Sequence, residues 1–188
     1  MIKNKITTKR IVLAAMLAAL TVAGSALRIT LPLEIAGTTS FHLGNIMCAL
    51  SGILLGPWLG GVAAGLGSAI YDMMNPLYIS EAWITFLTKA AYGVAAGLVA
   101  WSGKKEWGYI RALAATTAGA LVYAALYLAK SYFYSGMLLS GLSADAAFLA
   151  ILPKLPATTF NAAIAIICAP MLASAIREAL KRNHLSLN

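Results

Sequence analysis

The sequence predicts an all-α membrane protein of six transmembrane helices with both termini in the cytoplasm, on three observations. Of its 188 residues, 61% are hydrophobic and only 11% are charged, which is more apolar than a soluble domain of this size needs. The apolar residues form six runs, and the chain has room for about six spans of ~20 residues with short loops. The basic residues cluster before the first run, between the fourth and fifth, and after the sixth, which the positive-inside rule assigns to the cytoplasm.

The predicted helices form one domain over residues 1–188, and each is bounded by polar, glycine or proline residues. They cover residues 9–27, 42–55, 58–73, 81–101, 110–134 and 152–180. We expect the first to be retained, because no small-residue cleavage site follows its apolar run. Residues 28–41 are predicted as a loop, and residues 136–150 as a longer loop with room for a short helix. The second and third helices reach only about 24 Å against ~30 Å of hydrocarbon, so neighbouring helices must support them.

Four cations do not fit the positive-inside pattern. Ten of the fourteen basic residues fall on the cytoplasmic side, and the other four fall in the outer half of the membrane or at its outer surface: Arg28, Lys89, Lys130 and Lys154. Four acidic residues accompany them there: Glu34, Asp72, Glu81 and Asp145. An ionisable group at bilayer depth costs ~2.5–3.5 kcal/mol on insertion scales, so such groups face a bundle interior or a wet cavity. The positive-inside rule therefore does not explain why these four cations lie in the outer half.

Three of these lysines lie in polar stripes on the last three helices, at the i, i+4, i+7 spacing of one helical face. The stripes are Thr85-Lys89-Tyr92, Tyr123-Tyr127-Lys130-Tyr134 and Lys154-Thr158-Asn161. Because lysines donate hydrogen bonds and aromatic rings stack on flat solutes, the stripes predict one solute pocket open to the outside. Its candidate substrate-binding residues are Asp72, Trp83, Thr85, Lys89, Tyr92, Tyr123, Tyr127, Lys130, Lys154, Thr158 and Asn161. The alternatives are internal ion pairing, such as Lys89 with Asp72 or Glu81, and snorkelling of Lys154 and Arg28 to the interface.

Several other function classes find no support in the sequence. The net charge of +8 follows membrane topology, so we expect no nucleic-acid partner. Cys48 and Cys168 lie in apolar runs without metal-ligand neighbours, and we predict neither a metal nor a cofactor. No phosphate-binding loop is present, and Gly65-Leu66-Gly67-Ser68 departs from the glycine-serine-glycine pattern of intramembrane serine proteases, so we predict no enzyme. A bundle with an outer pocket and no energy source suggests a binding subunit driven by partners.

The middle of the chain and its first helix together resemble one family. The first helix carries small residues four apart, Ala14/Ala18 and Ala15/Ala19. The following block runs Phe41-His42-Leu43-Gly44-Asn45-Ile46, Leu55-Gly56-Pro57, Gly60-Gly61, Gly65-Leu66-Gly67-Ser68-Ala69 and Asp72. With six apolar segments and a basic N-terminus, the chain resembles the substrate-binding S component of energy-coupling factor (ECF) vitamin transporters, in the riboflavin-transporter-like branch.

The resemblance implies partners, a location and a class of solute. Ala14, Ala15, Ala18 and Ala19 would dock on the transmembrane T component, and two ABC-type ATPase subunits would complete a multi-pass complex among the lipids of a prokaryotic plasma membrane. The solute would bind in the outer half, between helices 4 to 6 and the loops after helices 1, 3 and 5. The aromatic residues and lysines favour a compact pyridine or pyrimidine, such as a B6 vitamer or hydroxymethylpyrimidine, with riboflavin next. A carboxylate such as pantothenate would also suit the lysines.

Two competing functions belong to other classes. The chain as a self-contained channel or carrier would move its solute without ATPase partners. As a non-transporting membrane scaffold it would bind no small molecule, and its lysines would be paired internally.

Overall fold

The structure, a computed structural model, describes residues 7–32, 38–103 and 107–183, and it is built largely of helices. The helices are α1 Thr8–Ala26, α2 Gly44–Leu55, α3 Pro57–Met73, α4 Ala82–Ala100, α5 Tyr109–Ala129, α6 Ala144–Ile151 and α7 Leu155–Arg182. Two strands, β1 Arg28–Pro32 and β2 Thr38–His42, form an antiparallel hairpin. Short 3-10 turns precede α4 (Ile79–Glu81) and α7 (Leu152–Lys154), and a π-helical segment, Lys130–Leu139, continues α5.

Within the described residues, four helical stretches are long and apolar enough to cross a membrane. They are Thr8–Ala26, Ile79–Ala100, Tyr109–Leu139 and Ala144–Arg182. The predicted all-α membrane class is therefore confirmed, whereas six spans and cytoplasmic termini stay predictions. The bounds of α1 to α4 lie within two residues of the predicted ones, whereas α5 ends five residues early and α7 begins three residues late. The short helix for which the predicted loop over residues 136–150 has room is α6. The predicted loop over residues 28–41 contains the hairpin instead, and Glu34 lies outside the described residues.

Helix α2, an apolar helix of twelve residues, lies at the centre of the bundle. It is apolar on all sides, and eleven of its twelve residues are buried. It packs against α1, α3, α4, α5 and α7, so protein surrounds it where lipid would otherwise be. At about 18 Å it is too short to span the hydrocarbon, and this surrounding shell is what allows a short helix at that depth.

Glycines set the distance between α2, α3 and α4. A Cβ added to Gly52 on α2 would lie 2.3 Å from the carbonyl oxygen of Gly93 on α4, and one added to Gly93 would lie 2.8 Å from the Cα of Gly61 on α3. Backbones this close leave no space for any side chain. Helices in lipid associate by such close packing, because apolar burial between them gains little over lipid contact.

One end of the bundle is closed by Arg10 of α1. Its guanidinium donates a hydrogen bond to the carbonyl of Leu55, the last residue of α2, and lies over the ring of Trp101. Trp101 in turn donates to the carbonyl of Ile53 at 2.9 Å. The final carbonyls of α2 have no partners within the helix, and these two side chains satisfy them while placing a cation at the negative end of the helix dipole.

The fifth predicted helix, residues 110–134, changes character near its end. Regular α-helix stops at Ala129, and the π-helical segment continues to Leu139. Hydrogen bonds in a π-helix run from residue i to i+5, so side chains five apart lie over one another, rather than those three or four apart. Tyr134, which α-helical spacing predicts on the face of Tyr123 and Tyr127, therefore leaves that face.

Candidate functional site

A polar cavity of about 340 Å³ lies at the end of the bundle opposite Arg10. The hairpin, the start of α4, the end of α5 with the π-helical segment, and the start of α7 enclose it. Cations, carboxylates, hydroxyls and tyrosine rings share its wall. The described residues that line it are Ser25, Arg28, Thr39, Ser40, His42, Ser68, Asp72, Leu77, Tyr78, Ser80, Glu81, Thr85, Thr88, Lys89, Tyr123, Tyr127, Lys130, Ser135, Leu139, Ser140, Lys154, Thr158 and Asn161.

The three sequence stripes meet in this one cavity. Nine of the eleven candidate residues line it: Asp72, Thr85, Lys89, Tyr123, Tyr127, Lys130, Lys154, Thr158 and Asn161. The helical periodicity therefore located the cavity, while the binding role of each residue stays a prediction. Trp83 and Tyr92 do not contribute to the described wall of the cavity.

Trp83 and Tyr92 leave the cavity for different reasons. Trp83 is 55% exposed on the outer surface, where its ring packs edge-on against Tyr134 at 5.5 Å. It lies six positions from Lys89, about 120° around the helix, so it faces away from the stripe. Tyr92 shares the stripe of Lys89 but lies one turn deeper, fully buried, where Gly119 of α5 leaves room for its ring. It is a supporting residue beneath the wall.

A stack of three tyrosine rings runs from the core to the cavity. Tyr92 stacks on Tyr123, and Tyr123 on Tyr127, each pair with ring centroids 5.8 Å apart. The Nζ of Lys89 lies 3.7 Å from the centroid of the Tyr123 ring, in cation–π contact. The same ammonium donates a hydrogen bond to the Oδ1 of Asn45 at the start of α2. Lys89 is 4% exposed and is held in place from two sides.

An ion pair joins the 3-10 turn before α4 to the π-helical segment. Lys130 pairs with one carboxylate oxygen of Glu81, and the Ser135 hydroxyl donates to the other at 2.6 Å. Lys130 and Ser135 are five residues apart, so only the π-helical connection brings both to the same carboxylate. Internal pairing was one of the sequence alternatives, and it occurs here, with Lys130 in place of the predicted Lys89. Asp72 contacts the hydroxyl of Thr85.

The hairpin supplies cavity residues that the stripes do not contain. Arg28 and His42 face each other in the β1–β2 register, and both line the cavity. The Arg28 guanidinium lies between the rings of Tyr71 and Tyr78, 4.1 and 4.8 Å from their centroids. It donates to the carbonyl of Ser25 at 2.7 Å, so these contacts hold it at the wall of the cavity. The alternation in Arg28-Ile29-Thr30-Leu31 is the sequence signal for this strand.

Asn161 attaches the hairpin to α7. Its Nδ2 donates to the carbonyl of Ser40 at 2.8 Å, and its Oδ1 accepts from the backbone N–H of His42 at 2.9 Å. Burial, reinforced by Lys89 and Arg28, lowers the pKa of His42 well below its usual range, so the imidazole is neutral. Because its Nδ1 accepts from the N–H of Gly44 at 3.2 Å, its Nε2 carries the proton and can donate to a solute.

The candidate docking alanines divide between two faces of α1. Ala14 and Ala18 pack against the bundle, and a Cβ added to Gly67 of α3 would lie 2.4 Å from the Ala18 carbonyl oxygen. Ala15 and Ala19 lie on the exposed face. The pairs are one position apart, about 100° around the helix, so only Ala15 and Ala19 are open to a partner in this conformation.

An apolar helical bundle with a buried polar cavity at one end has the features of a membrane protein that binds a small solute. Comparison with protein families makes this specific. The chain belongs to the family described as the ECF-type riboflavin transporter, S component, whose model matches residues 5–178. It is therefore an ECF S component: a substrate-binding membrane subunit of a vitamin-uptake system, in a family of transporter components rather than enzymes.

A curated relative carries no functional description. The chain is 35% identical over 118 residues to a Pyrococcus woesei protein described as an uncharacterized protein in the gap 3′ region. The match covers 63% of this chain and 74% of that protein. S components act with a T component and ATPase subunits, which fits a chain without its own energy source.

Proposed function

We propose that this chain captures a compact aromatic vitamin or vitamin precursor from outside a prokaryotic cell for ATP-driven uptake. A solute with a pyridine or pyrimidine ring, such as a B6 vitamer or hydroxymethylpyrimidine, is the first candidate. The observation that carries this proposal is the juxtaposition of Lys89, Tyr123 and Tyr127 in one polar cavity. A flat ring would stack on the tyrosines, and its heteroatoms would accept hydrogen bonds from buried donors.

The size of the cavity favours a compact ring over riboflavin, the second candidate. A volume of about 340 Å³ lies near the lower limit of ordinary ligand pockets, which run from ~300 to ~1,000 Å³. The family description names riboflavin, and this supports riboflavin as the alternative. A tricyclic ring with a ribityl chain would need most of the available volume, including the space beneath the hairpin.

The first experiment is native mass spectrometry of the gently purified chain, expressed in rich medium. We expect a retained small molecule, whose mass assigns it to a pyridine, pyrimidine or flavin class. A thermal-shift panel of the same vitamins on protein freed of ligand provides the control. An empty protein that ignores the panel, or one that transports solute in liposomes without ATPase subunits, would overturn the proposal.

We further propose that the T component docks on the exposed face of α1 around Ala15 and Ala19, with both termini and the ATPase subunits in the cytoplasm. The large side chains there are apolar, with Val12 and Met16 more than half exposed. Small residues four apart let a second helix approach closely. This face takes no part in the cavity, so docking and solute binding would use separate surfaces of the chain.

Ala19→Leu tests the docking face. We expect wild-type solute affinity in the isolated chain, because the substitution is remote from the cavity, and an uptake rate at least about tenfold lower in the full complex, because the leucine holds the partner helix away. Ala125→Leu is the matched control, since Ala125 is exposed on α5. Normal uptake by Ala19→Leu, or an equal loss in Ala125→Leu, would exclude this face.

A further inference from the structure

Lys154 differs from every other cation of the cavity wall. It lies in the 3-10 turn between α6 and α7, lines the cavity and is only 4% exposed. In the described part of the chain, no side-chain or backbone oxygen accepts a hydrogen bond from its Nζ. Its ammonium therefore faces the cavity, where the surrounding protein shields it from bulk water and an anionic partner would offset its lost hydration. Such a group calls for a partner that the protein itself does not provide.

The nearby carboxylates are already engaged. Each oxygen of Glu81 already accepts one hydrogen bond, from Lys130 and from Ser135, and neither accepts one from Lys154. Asp72 contacts the hydroxyl of Thr85. The cations that interact with its charge are Arg28, Lys89 and Lys130, and Lys154 is not among them. Lys154 is close enough to Lys130 and Glu81 to sense both charges, and it remains without a direct counterion among the described residues.

The charge balance of the cavity points the same way. Among the described residues of the wall there are four cations, Arg28, Lys89, Lys130 and Lys154, and two carboxylates, Asp72 and Glu81. With His42 neutral, the excess is 4 − 2 = +2. Three of the cations have protein partners. Arg28 contacts aromatic rings and the Ser25 carbonyl, Lys89 donates to Asn45, and Lys130 pairs with Glu81. The neutral partners of Arg28 and Lys89 leave the net charge of the wall unchanged, but Lys154 is the one of these four cations for which the described residues provide no hydrogen-bond partner.

We propose that the solute carries an oxyanion, a carboxylate or a phosphate ester, that binds the ammonium of Lys154. This rests on the proposed function and narrows the substrate class to an acidic vitamin or vitamin phosphate. The ring of the solute would lie against Tyr123 and Tyr127 while its anionic group reaches the start of α7. A buried ammonium discriminates strongly for a negative charge, because only an anion offsets the loss of its hydration.

The test uses pairs of compounds that share a pyridine ring and differ mainly in the anionic group: nicotinate and nicotinamide, and pyridoxal 5′-phosphate and pyridoxal. Affinities are measured by calorimetry on the purified full chain. We expect the anionic member of at least one pair to bind at least tenfold more tightly. The first pair tests a carboxylate and the second a phosphate, so the same experiment shows which oxyanion the site prefers.

Variants at Lys154 assign the preference to this side chain. Lys154→Met should reduce the anion preference to about twofold or less, whereas Lys154→Arg should keep it. Lys9→Met, on the exposed start of α1, is the matched control and should leave affinities unchanged. The melting temperature of each variant shows whether it folds. If Lys154→Met does not fold, the anion preferences of the wild type and of Lys154→Arg still test the inference.

Two results would overturn the inference and leave the proposed function standing. One is tighter or equal binding of the neutral members, or a neutral vitamin retained in native mass spectrometry. The other is an anion preference that survives in Lys154→Met. If no compound binds to folded protein and no small molecule is retained, the proposed function fails together with the inference.

Discussion

The interface between α2, α3 and α4 and the cavity between α4, α5 and α7 share one helix but are built on opposite principles. At the interface, Gly52, Gly61 and Gly93 bring backbones into contact and leave no space for a side chain. At the cavity, large polar side chains hold the helices apart around about 340 Å³. Helix α4 contributes Gly93 to the interface and Lys89, one turn earlier, to the cavity.

The difference shows how stability and binding are separated in a small membrane protein. Close backbone packing needs no polar partner, so it stabilises the bundle without depending on solute. The cavity wall keeps buried donors that the protein satisfies only in part, and a solute can complete them. Substitutions in the two regions should therefore have separable consequences, first on folding and then on affinity.

Gly52→Ala should have the largest effect, and it acts on folding. Its Cβ would lie 2.3 Å from the Gly93 carbonyl oxygen, a backbone atom that cannot rotate away, so α2 and α4 must separate. Overpacking of this kind costs about 1–3 kcal/mol, and we expect the upper end. The melting temperature in detergent measures it. Gly108→Ala is the control, because nothing lies within 4 Å of its Cβ; equal melting temperatures would contradict the role of the glycine contact.

Lys89→Met should have the next largest effect, mainly on affinity. Methionine matches the length of the lysine and tolerates an apolar site, but it leaves the buried Oδ1 of Asn45 without its donor, so we expect a smaller fall in melting temperature than in Gly52→Ala. Loss of one charged hydrogen bond to solute costs about 1.5–3 kcal/mol, or about 10- to 100-fold in Kd. Calorimetric titration with the retained solute measures the change in Kd, and Lys9→Met serves as the control. Unchanged affinity would remove Lys89 from the site.

Trp83→Leu should have the smallest effect, although tryptophan is often a binding residue. Its ring packs on Tyr134 outside the cavity, and its Nε1 donates to the Tyr134 hydroxyl at 3.4 Å. We expect a change in Kd within about twofold, whereas Tyr127→Leu should lose about tenfold by removing a ring from the wall. A large loss of affinity in Trp83→Leu would mean that the solute extends to the outer surface.

Helical periodicity predicted the polar wall well because it depends only on which residues share a face. Lys89, Tyr127 and Lys154 were found in this way on three separate helices. Periodicity does not report depth, and Tyr92, on the correct face, lies beneath Tyr123 because Gly119 admits its ring. Trp83 is a candidate only because its ring could stack on a solute; its position on the helix does not match the stripe of Lys89. In the structure it lies on another face of the helix and is exposed.

Features that depend on tertiary contacts were beyond the sequence. The change from α- to π-helix at Lys130 brings Ser135 and Lys130 to one carboxylate of a different helix, and no local pattern specifies that meeting. The two alanine pairs on α1 are equivalent in sequence, and only the contact of Ala18 with Gly67 distinguishes them. The first hairpin strand has a short alternation of polar and apolar residues, Arg28-Ile29-Thr30-Leu31, within the segment predicted as a loop.

The attachment of the hairpin through one amide has a kinetic consequence. Both bonds from Asn161 reach the backbone of β2, at Ser40 and His42, so lifting this strand from α7 breaks them in a single step. Ser40 and His42 themselves line the cavity. We expect the dwell time of a bound solute to follow the lifetime of this pair of bonds, so that one uncharged side chain sets how fast the site exchanges its solute.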